Sequence, residues 1–262
     1  MTAETIWQDL QVVRQKAPLV HNITNFVVMN NTANALLAIG ASPVMAHAVE
    51  EVEEMVKIAS ALVINIGTLS PDWVNAMQRA MKAAAKKGIP IIFDPVGAGA
   101  TGYRTQTCLE LLDTARVAVI RGNASEIMAL VDSAVQTRGV DSSAAGDAAE
   151  AAAEKLAETY RCSVVVSGEV DYITDGDRQQ RIRNGHAMMP RVTGLGCTAT
   201  ALVGAFAAVN PDPFPAAGHA MAVMGIGGEI AARNAAGPGS LQLNLIDTFY
   251  SLDREQIAQG LR

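Results

Sequence analysis

The sequence predicts an α/β fold: a three-layer sandwich in which a central, mostly parallel sheet carries helices on both faces. Short β-branched apolar runs alternate with amphipathic stretches of helix length along the chain. Each of these runs is too apolar to own a wet face, as expected of parallel strands covered on both sides. Glycine or polar clusters follow the runs directly, and in open sheets ligands bind beyond the carboxyl ends of the strands. The 262 residues show no long linker, internal repeat or low-complexity tract and read as one domain, 1–262.

A first helix is expected over residues 2–16, where Ile6, Leu10 and Val13 recur on one face. The polar stretch His21-Asn22-Ile23-Thr24-Asn25 lies near the first strand. Apolar strand runs follow at 43–45, 61–65, 89–94, 117–120 and 164–166. The best delimited helix starts at Ser70-Pro71, an N-cap with Pro at the first helical position, and stops at Gly88 after Lys86-Lys87. Its buried stripe is read as Val74, Met77, Met81 and Ala84. An Ala-rich helix spans 143–160 with Glu150, Glu154 and Lys155 outward. A polar hairpin then runs from Tyr172-Ile173-Thr174 through Asp175-Gly176-Asp177 into Gln180-Arg181-Ile182.

Residues 192–211 carry no charge and approach the length of a membrane span. Gly194, Gly196 and Gly204 among Thr193, Thr198, Thr200 and Asn210 instead mark a glycine turn followed by a small-residue helix buried in protein. No membrane association is expected.

Composition excludes several classes. A chain 50% hydrophobic and 18% charged is not disordered. Its net charge of -6, with no basic run, argues against nucleic acid as a partner. A bound nucleotide needs only backbone donors, a metal and one or two cations. The three cysteines, Cys108, Cys162 and Cys197, form neither a disulfide framework nor a metal-ligand pattern. With no basic and apolar leader after Met1, the chain reads as cytoplasmic.

Four strand ends carry candidate chemistry: Asn65-Ile66-Gly67-Thr68, Asp94-Pro95-Val96-Gly97-Ala98-Gly99, Arg121-Gly122-Asn123-Ala124-Ser125-Glu126 and Ser167-Gly168-Glu169. Asp94 and Glu126, acids at adjacent ends, could hold Mg²⁺ directly or through water beside a polyphosphate. Asn123-x-x-Glu126 equally matches a helix capping box, and Asp94 before Pro95 a turn acid; their joint placement favours the metal.

Gly194-Leu195-Gly196-Cys197 opens the small-residue helix, whose unpaired N–H groups suit a phosphate. At that position the Cys197 thiol pKa is expected to be lowered. The alternative is a packing turn with an inert cysteine.

Gly97-Ala98-Gly99-Ala100-Thr101-Gly102 fits a dinucleotide fingerprint, yet the next strand ends in Arg121 where the ribose wants an acid. His47, His186 and His219 show no ligand spacing and no obvious Ser or Asp partner, so neither zinc site nor hydrolase triad is expected. Met77, Met81, Met221 and Met224 read as core filler.

Taken in order, the clusters at 21–25, Ala41-Ser42-Pro43-Val44-Met45, 65–68, 94–99, 121–126 and Gly194-x-Gly196-Cys197 resemble hydroxyethylthiazole kinase, a family of the ribokinase-like superfamily. The resemblance implies an enzyme that phosphorylates 4-methyl-5-(2-hydroxyethyl)thiazole with ATP and Mg²⁺, a salvage step of thiamine biosynthesis. It further implies a homotrimer with active sites between subunits. Carried over by position, Met45 and Gly194 contact the thiazole, Gly67 lines its pocket, and Asn25 and Val27 contribute from the adjoining subunit.

Arg121, Ser167, Asn123 and Gly196 serve ATP, and Asp94 and Glu126 the metal and its water shell. Cys197 stands where most of the superfamily has an Asp acting as catalytic base. Leu195 departs from the small residue expected inside the turn. Two other readings are an ATP-dependent NAD(P)H-hydrate dehydratase, which an Asp at 197 would have favoured, and a non-catalytic sensor of a thiamine precursor, which would need no metal acids.

Overall fold

The computed structural model describes residues 1–131 and 142–262. Six strands run parallel: β1 (Leu19–Ile23), β2 (Ser42–Val44), β3 (Ala61–Asn65), β4 (Ile91–Asp94), β5 (Val119–Asn123) and β6 (Ser163–Ser167). The hairpin β7 (Asp171–Thr174) and β8 (Gln179–Ile182) continues the sheet antiparallel. Among the described residues the strand order is β2-β1-β3-β4-β5-β6-β7-β8. From β1 the chain first adds β2 on one side and then returns to place β3 on the other. That reversal opens a crevice beyond the carboxyl ends of β1 and β3.

Alternation along the strands divides the core into two layers. Val20, Val63, Ile92, Val119 and Val165 face α1 (Ala3–Lys16), α2 (Met29–Ile39), α8 (Leu195–Ala207), α9 (Pro213–Ala232), α10 (Pro238–Ser251) and α11 (Arg254–Gly260). Ile23, Leu62, Ile64, Phe93, Ile120 and Val164 face α3 (Val52–Ile58), α4 (Pro71–Lys87), α5 (Gly102–Thr114), α6 (Ala124–Val131) and α7 (Ser142–Tyr160). This is the three-layer α/β architecture that the periodicities predict.

Local chemistry accounts for the helix ends. Thr2 caps α1, and Ser70 Oγ caps α4 by accepting the Trp73 N–H at 3.3 Å, while Gly88 closes α4 at φ +80°. The buried stripe of α4 differs from the expected one. It comprises Trp73, Ala76, Met77, Ala80, Met81 and Ala84, with Val74 only half-buried, because the bulky indole turns inward and rotates the helix. Glu150 and Glu154 do not simply face solvent: Glu150 pairs with Arg181, and Glu154 accepts from Tyr172 Oη at 2.8 Å, tying α7 to the hairpin.

The uncharged segment forms α8 and is buried from Thr198 to Ala207. No helix among the described residues is long and apolar enough to cross a membrane. With α9 it spends the apolar C-terminal third on the chain's own core, each fully buried Leu, Ile or Phe contributing about 1.5–3 kcal/mol.

His219, expected to lack a partner, has two. Nδ1 lies 2.6 Å from Asp9 Oδ2 and Nε2 3.2 Å from Thr5 Oγ1, so the buried ring ties α9 to α1. The Thr5 hydroxyl already donates to the Thr2 carbonyl in the capping box, so the Thr-His-Asp line is structural. Residues 9 and 219 are too far apart in sequence for spacing to reveal the pair.

Candidate functional site

The β1–β3 crevice is polar where the rest of the sheet is apolar. Register sets Asn65 at the end of β3 beside Asp94 at the end of β4, both buried. Asn65 Nδ2 donates to Asp94 Oδ2 at 2.8 Å, and Thr200 Oγ1, one turn after Gly196, donates to the same oxygen at 2.8 Å. Asp94 Oδ1 is buried with no partner. Burial pushes the carboxyl up to about 6, partly offset by the Arg121 charge and these two donors.

On the other side of Asn65, its Oδ1 accepts from Asn25 Nδ2 and from the Gly67 N–H, each at 2.9 Å. Asn25 Nδ2 also lies 3.5 Å from Cys197 Sγ. Asn25 therefore lies between Asn65 and Cys197 of its own chain. Cys197 corrects an expectation. Burial, with Asp94 nearby, pushes its thiol up to about 11, outweighing any lowering by the helix start.

The glycine turn has two steric reasons. Gly194 caps α8 at φ +81°, and a Cβ there would lie 2.6 Å from Val28 Cγ1. A Cβ on Gly196 would lie 2.7 Å from Arg121 Nη1, so the guanidinium rests against the first turn of α8. Arg121 Nη2 donates to Ser167 Oγ at 2.6 Å, and Arg121 Nε is buried and unpartnered. The Ser167 hydroxyl donates in turn to the Gly122 carbonyl at 3.3 Å. Free N–H groups and a guanidinium side by side have the chemistry that suits a phosphate.

Glu126 does cap its helix: Oε2 accepts the Asn123 N–H at 2.8 Å, while Asn123 Oδ1 accepts the Glu126 N–H at 2.9 Å. Its Oε1 accepts the Gly97 N–H at 2.9 Å and so anchors the loop after β4. Each oxygen keeps a second lone pair, so capping and cation binding are compatible. Among the described residues no three His, Cys, Asp or Glu side chains cluster as a full cage. Two carboxylates, one with an unpartnered oxygen, suit Mg²⁺, which takes one or two protein carboxylates and fills its shell with water and phosphate.

Met45 is half-buried just beyond β2, and Val27 is 67% exposed at the rim. His21 Nε2 donates to the Ala46 carbonyl at 2.7 Å; burial holds the imidazole below its usual value and Nδ1 is left without a partner. Several residues escaped sequence reasoning. Trp73 packs at a tilt against Phe26 and His47 with centroids 4.9 and 4.6 Å apart, an aromatic wall next to Asn25. Arg104 donates to the carbonyls of Ile66, Val96 and Gly67 at 2.9, 2.9 and 3.0 Å, bracing two of the loops. Thr200 carried one faint signal, its helical spacing from Gly196.

Similar proteins fit this arrangement. A "ribokinase-like superfamily protein" from Enterococcus faecalis V583 shares the fold at TM-score 0.62 and 14% identity, over 92% of this chain and 87% of that one. A hydroxyethylthiazole kinase protein from Pyrococcus horikoshii OT3 superposes at TM-score 0.92 with 45% identity, over 99% of this chain and 98% of that one. A hydroxyethylthiazole kinase of Syntrophus aciditrophicus (strain SB) is 60% identical over 264 aligned positions, covering 100% of this chain and 97% of its own. Residues 10–255 match the Hydroxyethylthiazole kinase family, the span that holds every strand end described above. With a glycine turn, a half-buried arginine and a buried acid gathered at one crevice, and likeness along its full length, the chain belongs to the hydroxyethylthiazole kinase family.

Proposed function

We propose that this chain, acting as one domain over 1–262, transfers the γ-phosphoryl group of ATP to the hydroxyl of 4-methyl-5-(2-hydroxyethyl)thiazole. The alcohol oxygen bonds to the γ-phosphorus as the bridging P–O bond to the β-phosphate breaks, giving the phosphate ester and ADP. The reaction is a salvage step of thiamine biosynthesis. One observation carries the reading in a chain of this family: Asp94, Arg121 and the N-terminus of α8 converge beside the β1–β3 crevice.

Arg121 and the N–H groups of residues 195–197 hold the phosphates in line and meet the charge that develops on the transferred group. Ser167 orients Arg121, and Asn123 and Gly196 complete the nucleotide side. Mg²⁺ would be held by Asp94 and Glu126, in part through water, and supplies neutralisation of the phosphate oxygens. Met45, Gly67, Asn25 and Gly194 line the thiazole pocket.

The Cys197 thiol is protonated at neutral pH, which makes it a weak base. Its contribution is to border the hydroxyl and the anion site, while alignment and charge stabilisation carry the rate. Exposure of Phe26 (63%) and Val27 beside Asn25, and of Leu37 and Leu243 on the packed pair α2 and α10, supports a homotrimer with Val27 reaching a neighbour's site. Three free cysteines suit a cytoplasmic, reducing setting.

The test is a substrate panel with ATP and Mg²⁺: the thiazole alcohol, the pyrimidine alcohol of thiamine synthesis, pyridoxal and ribose. ADP and a phosphate ester should form with the thiazole alcohol in preference to the rest. A folded protein that makes no thiazole ester ends the reading.

A further inference from the structure

Two neutral side chains hold Asp94, and neither is among the residues the family resemblance assigns. Both Asn65 Nδ2 and Thr200 Oγ1 donate to Oδ2, leaving Oδ1 without a protein partner. The amide of Asn65 has only one possible orientation. Its oxygen accepts the Gly67 backbone N–H, a group that can only donate, so its NH₂ must face the carboxylate. Through one planar group Asn65 thus touches Asn25 and Gly67 on the alcohol side and Asp94 on the metal side. Thr200 touches Asp94 and, more distantly at 3.3 Å, the Gly196 carbonyl.

We propose that Asn65 and Thr200 are positioning residues that clamp Oδ2 of Asp94, so that Oδ1 is the oxygen offered to the divalent cation. Asn65 uses the same amide to hold the alcohol pocket in register with that acid. The carboxylate torsion of an Asp is broad and roughly two-fold, and two donors converging on one oxygen remove that freedom. Without them Asp94 is free to turn toward Arg121, whose charge already acts on it and whose Nε is unpartnered. The inference rests on the reading of Asp94 as a metal acid.

Calorimetry of ADP binding with and without Mg²⁺, on the full-length protein, tests the clamp without relying on turnover. In Thr200→Val the gain in ADP affinity conferred by Mg²⁺ should fall about tenfold or more, the scale of one hydrogen bond to a charged group. Affinity for metal-free ADP and KM for the alcohol should stay within about twofold, which is at the edge of resolvable effects. Thr200→Ser, which keeps the hydroxyl, should restore the gain.

Asn65→Ala should lose the same gain and also raise KM for the alcohol about tenfold or more. Should that variant not fold, the isosteric Asn65→Asp, which turns an acceptor toward Oδ2, is expected to show both losses. An undiminished Mg²⁺ effect in Thr200→Val, or an equal loss in Thr200→Ser, overturns the clamp. An unchanged alcohol KM in the Asn65 variants overturns the bridging role. Calorimetry needs no alcohol, so a protein that binds Mg–ADP yet makes no thiazole ester sinks the substrate assignment and leaves the clamp intact.

Discussion

At the amino ends of the strands, below the last turns of α4 and α7, lies a cleft of about 1040 Å³ lined in part by Arg116, Arg178, Asp175 and Asp212. Arg178, Asp175 and Asp212 there satisfy one another. Arg178 donates to Asp212 at 2.6 and 2.9 Å and to Asp175 at 2.7 Å, and Arg116 donates to the Arg161 carbonyl at 2.9 Å.

At the carboxyl ends several polar groups are left without a partner in the chain. Asp94 Oδ1, Arg121 Nε and Thr198 Oγ1 are buried and unpartnered at this end, as are His21 Nδ1 and Asn22 Oδ1 on β1 and Thr32 Oγ1 on α2. Leaving a polar atom so costs about 1–3 kcal/mol. A fold tolerates several together only where something other than the chain completes them. Buried unsatisfied polarity distinguishes the carboxyl ends of the strands from the amino ends.

The comparison breaks most visibly at Asp94. Asp94→Asn should lower turnover on the order of 10²–10³-fold. It should also stabilise the ligand-free protein at pH 7.5 by about 1–2 kcal/mol, discounted from the full shift for relaxation of the site. Burial lifts this carboxyl from 3.8 to about 6, so the folded chain keeps the proton over a range where the unfolded chain has released it. Stability from this group is therefore present below about pH 4 and lost as pH rises toward 6. Thermal unfolding should show the gain at pH 7.5 and none at pH 4.

Next in size, Arg121→Ala should cost about 10²-fold in kcat/KM for ATP, with Arg121→Lys a poor substitute because a point charge cannot span Ser167 and the turn. Steady-state kinetics with varied ATP would reveal either result.

Cys197→Ala should stay within about tenfold of the parent rate, below the 10²–10⁴-fold typical of a lost general base. The parent pH profile should show no thiol titration between pH 6 and 9, since burial pushes that thiol up to about 11. Cys197→Asp, with Asn25 able to donate to the new carboxylate, should retain or raise turnover. A loss of about 10³-fold or more there, with substrate binding intact, would remove residue 197 from the hydroxyl's surroundings.

Smallest of all, Arg178→Ala in the opposite cleft should change stability by about 0.2–1 kcal/mol, because its ion pairs are solvent-exposed, and leave kcat and KM unaltered. A kinetic effect from that substitution would erase the contrast between the two ends.

Much of the working end was legible in the chain. Runs such as Ala61–Asn65 and Ile91–Asp94 stop abruptly at a polar residue, and parallel strands bring such stops to one edge. Gly194 and Gly196 announced a turn where a backbone must come close to something. β1 was harder to read, since His21 and Asn22 interrupt its apolar pattern while pointing to opposite layers. Arg104 and Thr200 looked like ordinary helix residues. Their importance comes from the loops and the acid they meet, 38 and 106 positions away.

By itself the sequence determined the layer order, the strand ends and the set of chemical groups available, because periodicity and turn residues act within a few positions of one another. Only the tertiary structure decided which oxygen of Asp94 stays open, that the Cys197 thiol is raised in pKa, and that His219 is joined to Asp9. Each of these depends on burial and on partners far along the chain, and desolvation and hydrogen bonding act through space without regard to sequence separation.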